Sequence, residues 1–298
     1  MIIDFHTHCF PDKIAERAME ELRLRSGILE PFHNGTADSL VALQRKSGVD
    51  YSVVLSIATN PKQQKNVNDY AISLKEVDGI IPFGSVHPDS PDVFEELERI
   101  KENGLRGVKL HPDFQKFAID DKKCTEIYEL CRGRLPILFH TGDKRYDYSN
   151  PERIIPVLEA YEDLTVIGAH LGGWSVWDEA MEKLRDFENF YVDCSSSLYA
   201  MSPEKAKELI EKAPAERKVK LQMIYDDLTG YIARIRKLNG EITETVEKKL
   251  SVQEELVRGA GMTMAETYNG YGAKVKRRKK LRQPKIATIS KAILFIYN

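Results

Sequence analysis

Short apolar segments alternate with helix-like segments along the chain as far as Cys194, and this order restricts the fold more than any other feature. Seven of them read as strands because they are apolar throughout and are separated by helix-like stretches. They are residues 2–8, 51–58, 80–86, 105–111, 135–140, 164–170 and 190–194. Continuous apolar runs are typical of parallel strands that are buried on both faces of a sheet.

Amphipathic segments between the strands predict the connecting helices. Four such segments have apolar residues at helical spacing or have a glycine or proline at a boundary. They are Pro11–Ser26, Thr36–Lys46, Pro61–Val77 and Ser90–Gly104. A polar residue followed by proline is favoured at a helix start, because the missing N–H of proline would be unsatisfied there in any case. This pairing occurs at Ser90-Pro91, Asn150-Pro151 and Ser202-Pro203.

An eighth strand is predicted at Val219–Tyr225, although its polar residues make the pattern weaker than in the first seven. Eight strand–helix units of this size predict an α/β fold of the (β/α)8 TIM-like barrel type, spanning residues 1–226. An open, doubly wound sheet is the alternative, but no glycine-rich dinucleotide fingerprint follows any strand. Residues 227–298 are predicted to form a separate, atypical segment with helical and basic parts.

Histidines cluster at the predicted carboxyl ends of strands. His6 and His8 are one residue apart in the first strand, so their side chains should point to the same side. The histidines that end or follow later strands are His87, His111, His140 and His170, and only His33 lies elsewhere. Because the carboxyl ends of barrel strands share one face, where active sites are built, this distribution predicts a site for a divalent metal ion.

Four phrases carry a family resemblance: IIDFHTHCFP, GVKLHPDF, ILFHTG and IGAHLGGW. Together they resemble the amidohydrolase superfamily, in particular the amidohydrolase-related group (family 2) that includes aminocarboxymuconate-semialdehyde decarboxylase. The resemblance implies a distorted barrel with one catalytic divalent metal ion, commonly zinc. It makes His6, His8 and His140 metal ligands, and it makes His170 either a further ligand or a group that orients and polarises the substrate.

The resemblance also implies an aspartate after the eighth strand that touches the metal and accepts a proton from the water that the metal activates. The family's usual phrase around this residue is missing, and Asp226 in Met-Ile-Tyr-Asp-Asp is the nearest candidate, with Asp227 as its rival. The other interpretation is that both acids open a helix, where its positive end would favour them.

Three further residues are candidates for substrate contacts, each with a structural alternative. Lys109 lies within the fourth strand and could instead form a salt bridge, whereas His111 could serve only to turn the chain. Trp174 follows two glycines after His170 and either walls the pocket or packs against a helix. Asp193, in the seventh strand, is predicted either to orient a metal ligand or to accept hydrogen bonds from buried backbone donors.

These observations support three hypotheses about function. The first is a metal-dependent hydrolase of a small amide, ester or lactone that uses a metal-activated water molecule. The second is a non-oxidative decarboxylase that uses the same metal site. The third is an impaired or non-catalytic barrel with a basic binding tail.

Composition limits the location and partners of the protein. No apolar run approaches the roughly 18 to 20 residues of a membrane span, no signal peptide is apparent, and four scattered cysteines indicate reduced thiols, so we expect a cytoplasmic protein with a small-molecule substrate. Net charge is −12 over residues 1–216 and +10 over residues 217–298. The basic run at 274–282 could bind nucleic acid, although a solvated segment is the commoner role, and a homo-oligomer is compatible with the sequence.

Overall fold

Seven parallel strands lie side by side in chain order. The structure, a computed structural model, describes residues 2–25, 31–197 and 200–212. The strands are β1 (Ile3–Thr7), β2 (Tyr51–Leu55), β3 (Ile80–Phe83), β4 (Val108–Leu110), β5 (Ile137–Phe139), β6 (Val166–Gly168) and β7 (Phe190–Val192). Strands β1 to β3 form one parallel sheet and β4 to β7 another. A parallel bridge between Gly84 and Val108 connects the two sheets, so the strand order is continuous.

Nine helices among the described residues connect or follow these strands. They are α1 (Asp12–Arg25), α2 (Ala37–Ser47), α3 (Gln64–Ser73), α4 (Val93–Glu102), α5 (Pro112–Gln115), α6 (Thr125–Cys131), α7 (Pro151–Ala160), α8 (Trp177–Leu184) and α9 (Pro203–Lys212). Short 3₁₀ turns flank α3 and precede α6. None of the helices that the structure describes is long and apolar enough to cross a membrane.

Local sequence explains where two of the helices begin. The hydroxyl of Thr36 caps α2 by accepting a hydrogen bond from the backbone N–H of Ser39, and Ser202 does the same for Lys205 in α9. Helix α4 begins at Val93, slightly later than the start predicted at Ser90-Pro91, and the Ser90 hydroxyl accepts a hydrogen bond from the N–H of Asp92 in the turn that precedes the helix.

Strands β4, β5 and β6 are buried on both faces, as their apolar sequences predicted, whereas Tyr191 of β7 is exposed. An inner cluster lies on one side of the strands and consists of Phe5, Val53, Leu55, Phe83, Leu138, Ile167 and Ala169. Residues that point the other way, such as Ile137 and Phe139 of β5, join a larger cluster with the helices. Lys109 lies between Val108 and Leu110 of that outer cluster, so its side chain faces the interior.

A β-bulge in β1 affects the direction in which the side chain of His6 points. Asp4 pairs with Ser52 but Thr7 pairs with Val54, so β1 contains one residue more than β2 over this stretch. A bulge of this kind bends a strand and turns a side chain, and bulges are frequent beside active sites. Phe5 packs in the inner cluster, while the next residue, His6, contacts Asp193 and His170, which follow β7 and β6.

No strand pairs β7 with β1 among the residues that the structure describes. The predicted eighth strand at Val219–Tyr225, Asp226 and the basic run at 274–282 lie outside the described residues. The predicted boundary between residues 226 and 227 lies outside them as well.

Candidate metal centre

Four histidines meet where the strands end. The ring centroids of His6 and His8 are 5.2 Å apart, and those of His6 and His170 are 4.9 Å apart. His140, from the end of β5, lies 4.9 Å from His170 between ring centroids. The structure thus brings together all four histidines that the sequence predicted as metal ligands, from β1, β5 and β6.

Hydrogen bonds fix the tautomers of the first two histidines. Nδ1 of His8 lies 2.8 Å from the carbonyl oxygen of Leu55, which can only accept, so this nitrogen carries the hydrogen. Nδ1 of His6 lies 2.8 Å from Oδ2 of Asp193 and donates in the same way. A neutral ring with its hydrogen on Nδ1 has its lone pair on Nε2, the atom that then faces a metal ion.

Hydrogen bonds also fix the tautomers of His170 and His140. Nδ1 of His170 lies 2.8 Å from the carbonyl oxygen of Ser195, so it donates and leaves the lone pair on Nε2. That Nε2 lies 3.1 Å from Nδ1 of His140 and accepts its hydrogen. The lone pair of His140 is then on Nε2, and one set of partners places every ring in the same tautomer.

Burial keeps the rings of His111, His140 and His170 neutral. It lowers the pKa of His170 to about 3, an effect that the neighbouring His6 reinforces. The pKa values of His111 and His140 also fall well below the usual range, first through burial and then through nearby cationic groups. At neutral pH these nitrogens are available as ligands without loss of a proton.

Asp193 joins the strand ends. Its Oδ1 accepts from the N–H of His170 at 3.0 Å, from the N–H of Ser195 at 2.9 Å and from the hydroxyl of Ser195 at 2.5 Å, and its Oδ2 accepts from His6. Burial alone would raise the pKa of this carboxyl group, but His6, His170 and the hydroxyl hold it below the usual range. Asp193 is therefore an ionised acceptor. One potential ligand atom from each of His6, His170 and Asp193 lies within 4.8 Å of the others.

The backbone at His170 has an uncommon conformation. His170 and Leu171 have φ values of 60° and 59°, in the left-handed region that residues with a Cβ rarely adopt. Such a residue costs about 1–3 kcal/mol and persists only where its surroundings impose it. Here Asp193 accepts from the N–H of His170, and the indole N–H of Trp177 donates to the carbonyl oxygen of His170 at 3.0 Å.

The end of β4 contributes a second set of polar groups. Nζ of Lys109, Nδ1 of His111 and Oδ1 of Asp113 are buried and have no hydrogen-bond partner among the described residues. Burial lowers the pKa of Lys109 to about 7, although Asp193 and Asp113 oppose this, and it raises the pKa of Asp113 to about 6. His111 stacks on His140 with ring centroids 4.1 Å apart, so these groups adjoin the histidine cluster.

The donor set fits a divalent metal ion. Imidazole and carboxylate groups are zinc ligands, and the rings here are neutral with their Nδ1 atoms held by acceptors. Three buried polar atoms without partners adjoin the cluster, which is consistent with a site built to hold further groups. His6, His8 and His140 are the residues that would hold the metal, because Nε2 of His170 already accepts a hydrogen bond from His140.

Of the remaining predicted site residues, Trp174 lies beside the histidine cluster and Asp226 is not among the described residues. The ring of Trp174 lies 5.8 Å from that of His170, and it also packs on Trp177. Sequence reasoning missed Ser195 and Asp113. Asp113 stands within the phrase GVKLHPDF and could have been found there, whereas nothing in the sequence marks Ser195.

Parallel strands covered by helices, with neutral histidines gathered at their carboxyl ends, define a class of protein: the (β/α) barrels whose strand ends carry metal ligands. The model of the amidohydrolase family matches residues 3–219, and the chain belongs to that family. The family resemblance and the barrel fold class predicted from the sequence are thereby confirmed. Membership places the chain among enzymes of the amidohydrolase superfamily, which generally bind a metal.

A solved structure shows the same fold. A crystal structure of an amidohydrolase from Burkholderia multivorans with bound HEPES has a TM-score of 0.51 and 12% sequence identity to this chain. The likeness covers 71% of this chain and 78% of that chain. The comparison with curated proteins finds no match.

Proposed function

We propose that the protein is a metal-dependent hydrolase of a small amide, ester or lactone. The observation that carries this proposal is the convergence of His6, His8 and His140, each with its lone pair on Nε2, beside the ring of His170. One divalent ion, zinc, suits this set of nitrogens. When bound, such an ion polarises a carbonyl oxygen and lowers the pKa of a water molecule to about 7.

The protein's own residues divide the remaining work. His170 is held by its backbone and by Ser195, so its ring can orient the carbonyl group of a substrate. Trp174 lies beside His170, with the two rings nearly perpendicular, and can form one wall of the substrate pocket. Asp226 remains our proposed proton acceptor, because the family resemblance implies an aspartate after the eighth strand.

Decarboxylation of a small carboxylic acid is the second candidate, and Lys109 favours it. Its ammonium group is buried without a hydrogen-bond partner among the described residues, and a substrate carboxylate would satisfy it. Hydrolysis remains the first candidate because the histidine set is suited to it without a carboxylate in the substrate.

Metal analysis and product analysis of the full-length protein test this proposal. We expect about one zinc ion per chain and turnover of p-nitrophenyl acetate, a simple lactone or an anilide, with ¹⁸O from labelled water entering the acid product. If the protein releases carbon dioxide from hydroxybenzoates and no ¹⁸O from labelled water enters the product of any ester or amide, decarboxylation becomes the proposed function in place of hydrolysis. A protein that takes up no metal would contradict both.

A further inference from the structure

We propose that Asp193 is a positioning residue, which fixes the tautomer of His6 and the left-handed backbone at His170 so that histidines of β1 and β6 face one point. This proposal rests on the metal-binding role proposed above. It assigns to Asp193 a role different from that of a metal ligand, although an oxygen of Asp193 lies near the nitrogens of His6 and His170.

Both oxygens of Asp193 are already engaged. Oδ1 accepts three hydrogen bonds, from the N–H of His170 and from the N–H and hydroxyl of Ser195. Oδ2 accepts from Nδ1 of His6 at 2.8 Å. Asp193 is 1% exposed, so the carboxylate faces protein donors and not solvent. Its closeness to the histidine nitrogens follows from these bonds.

Each bond has a separate consequence for the site. The bond to His6 puts the hydrogen of that ring on Nδ1 and the lone pair on Nε2. The bond to the N–H of His170 supports a residue with a φ of 60°, a conformation that must be held by its surroundings. One carboxylate thus sets the ring of His6 and the backbone of His170.

His8 provides an internal comparison. Its Nδ1 donates to the carbonyl oxygen of Leu55, a backbone group that no side-chain substitution removes. The tautomer of His8 is therefore independent of Asp193, while that of His6 depends on it. A substitution at position 193 should therefore change the tautomer of His6 and leave that of His8 unchanged.

Asp193→Asn tests this with almost no change in shape. The amide oxygen must stay at the Oδ1 position, because an NH₂ group there would face two backbone N–H donors. The NH₂ group then faces His6, whose Nδ1 must become an acceptor while its hydrogen moves to Nε2. We expect this switch at His6 and no switch at His8.

The measurement is ¹⁵N NMR of the metal-free full-length protein labelled at histidine, with His6→Gln used to assign the His6 signals. The wild-type protein should show a protonated Nδ1 and an unprotonated Nε2 at both His6 and His8. In Asp193→Asn the pattern should reverse at His6 alone. Because this readout needs neither metal nor substrate, it is independent of whether the proposed hydrolase activity exists.

Ser195→Ala is the matched control. It removes a hydroxyl that bonds Oδ1 of Asp193 and lies 3.0 Å from Nδ1 of His170, but it leaves the bond between Asp193 and His6 in place. We expect the His6 signals to stay unchanged and only those of His170 to shift.

Zinc affinity, measured by competition with a chromogenic chelator, gives a second readout. Loss of a group that orients a ligand typically weakens metal binding roughly 10- to 100-fold, and we expect a loss in this range for Asp193→Asn. A His6 ring that keeps its hydrogen on Nδ1 in a folded Asp193→Asn variant would overturn the proposal. A wild-type His6 with its hydrogen on Nε2 would overturn it without any variant.

Discussion

The two sides of the site differ in how their polar groups are satisfied. Around β1, β6 and β7, each ring Nδ1 has an acceptor and Asp193 accepts from four donors. At the end of β4, Lys109, His111 and Asp113 each keep a buried polar atom without a hydrogen-bond partner among the described residues.

This difference indicates that the two sides of the site have different functions. A side whose hydrogen bonds are complete is preorganised, and the positions of its ligand atoms do not depend on what binds there. A side with unsatisfied buried groups gains most from a molecule that supplies the missing partners, because an unpaired buried polar group is costly. We infer that the first side holds the metal and that the second side recognises the substrate.

Removal of a metal ligand should have the largest effect. His140→Ala removes a nitrogen from the proposed centre, and we expect zinc affinity to fall by more than the roughly 100-fold that marks loss of an orienting group. Inductively coupled plasma mass spectrometry after gel filtration measures the metal content. His33→Ala, a partly buried histidine away from the strand ends, is the control and should retain full content.

Lys109→Met should give the next largest effect and leaves the metal in place. Loss of a charge-assisted hydrogen bond of about 1.5–3 kcal/mol lowers kcat/KM roughly 10- to 100-fold for a substrate that carries a carboxylate. A neutral substrate should lose far less. Steady-state kinetics with both substrates measures this, and Lys122→Met, on an exposed lysine, is the control. Equal losses with both substrates would remove the proposed role of the β4 side.

The sequence predicted the strands, their order and their burial, because continuous apolar runs and helix spacing are local signals. It also placed His6, His8, His140 and His170 at strand ends. It could not predict the bulge between Asp4 and Thr7, since a bulge depends on the pairing of two strands. The left-handed φ at His170 was unpredictable for a similar reason: no glycine marks it, and the residues that impose it come from elsewhere in the fold.

On the β4 side, Gln115 satisfies backbone groups, and its replacement tests whether that backbone network stabilises the fold. Its amide donates to the carbonyl oxygens of Ala58 and Val86 and accepts from the N–H of His111, each at 2.8 Å. Gln115→Leu leaves these backbone groups unsatisfied and should lower the free energy of unfolding of the barrel by about 1–3 kcal/mol. Urea denaturation measures the change, and Gln63→Leu, at an exposed position, should have little effect.

Trp174→Phe should have the smallest effect. An aromatic ring remains beside His170, so the contact is only partly lost. An aromatic pair contributes about 0.5–1.5 kcal/mol, and we expect KM to rise by no more than about fivefold while metal content stays unchanged. A loss of metal in this variant would show that Trp174 supports the ligands rather than the pocket.

We expect one metal ion to bind where His6, His8 and His140 meet. Anomalous X-ray diffraction from crystals of the zinc-loaded full-length protein, measured on both sides of the zinc absorption edge, locates the ion. One peak should appear at about 2.0–2.1 Å from Nε2 of His6, His8 and His140. A peak held by His111 and Asp113 instead, or no peak near any of these histidines, would contradict this expectation.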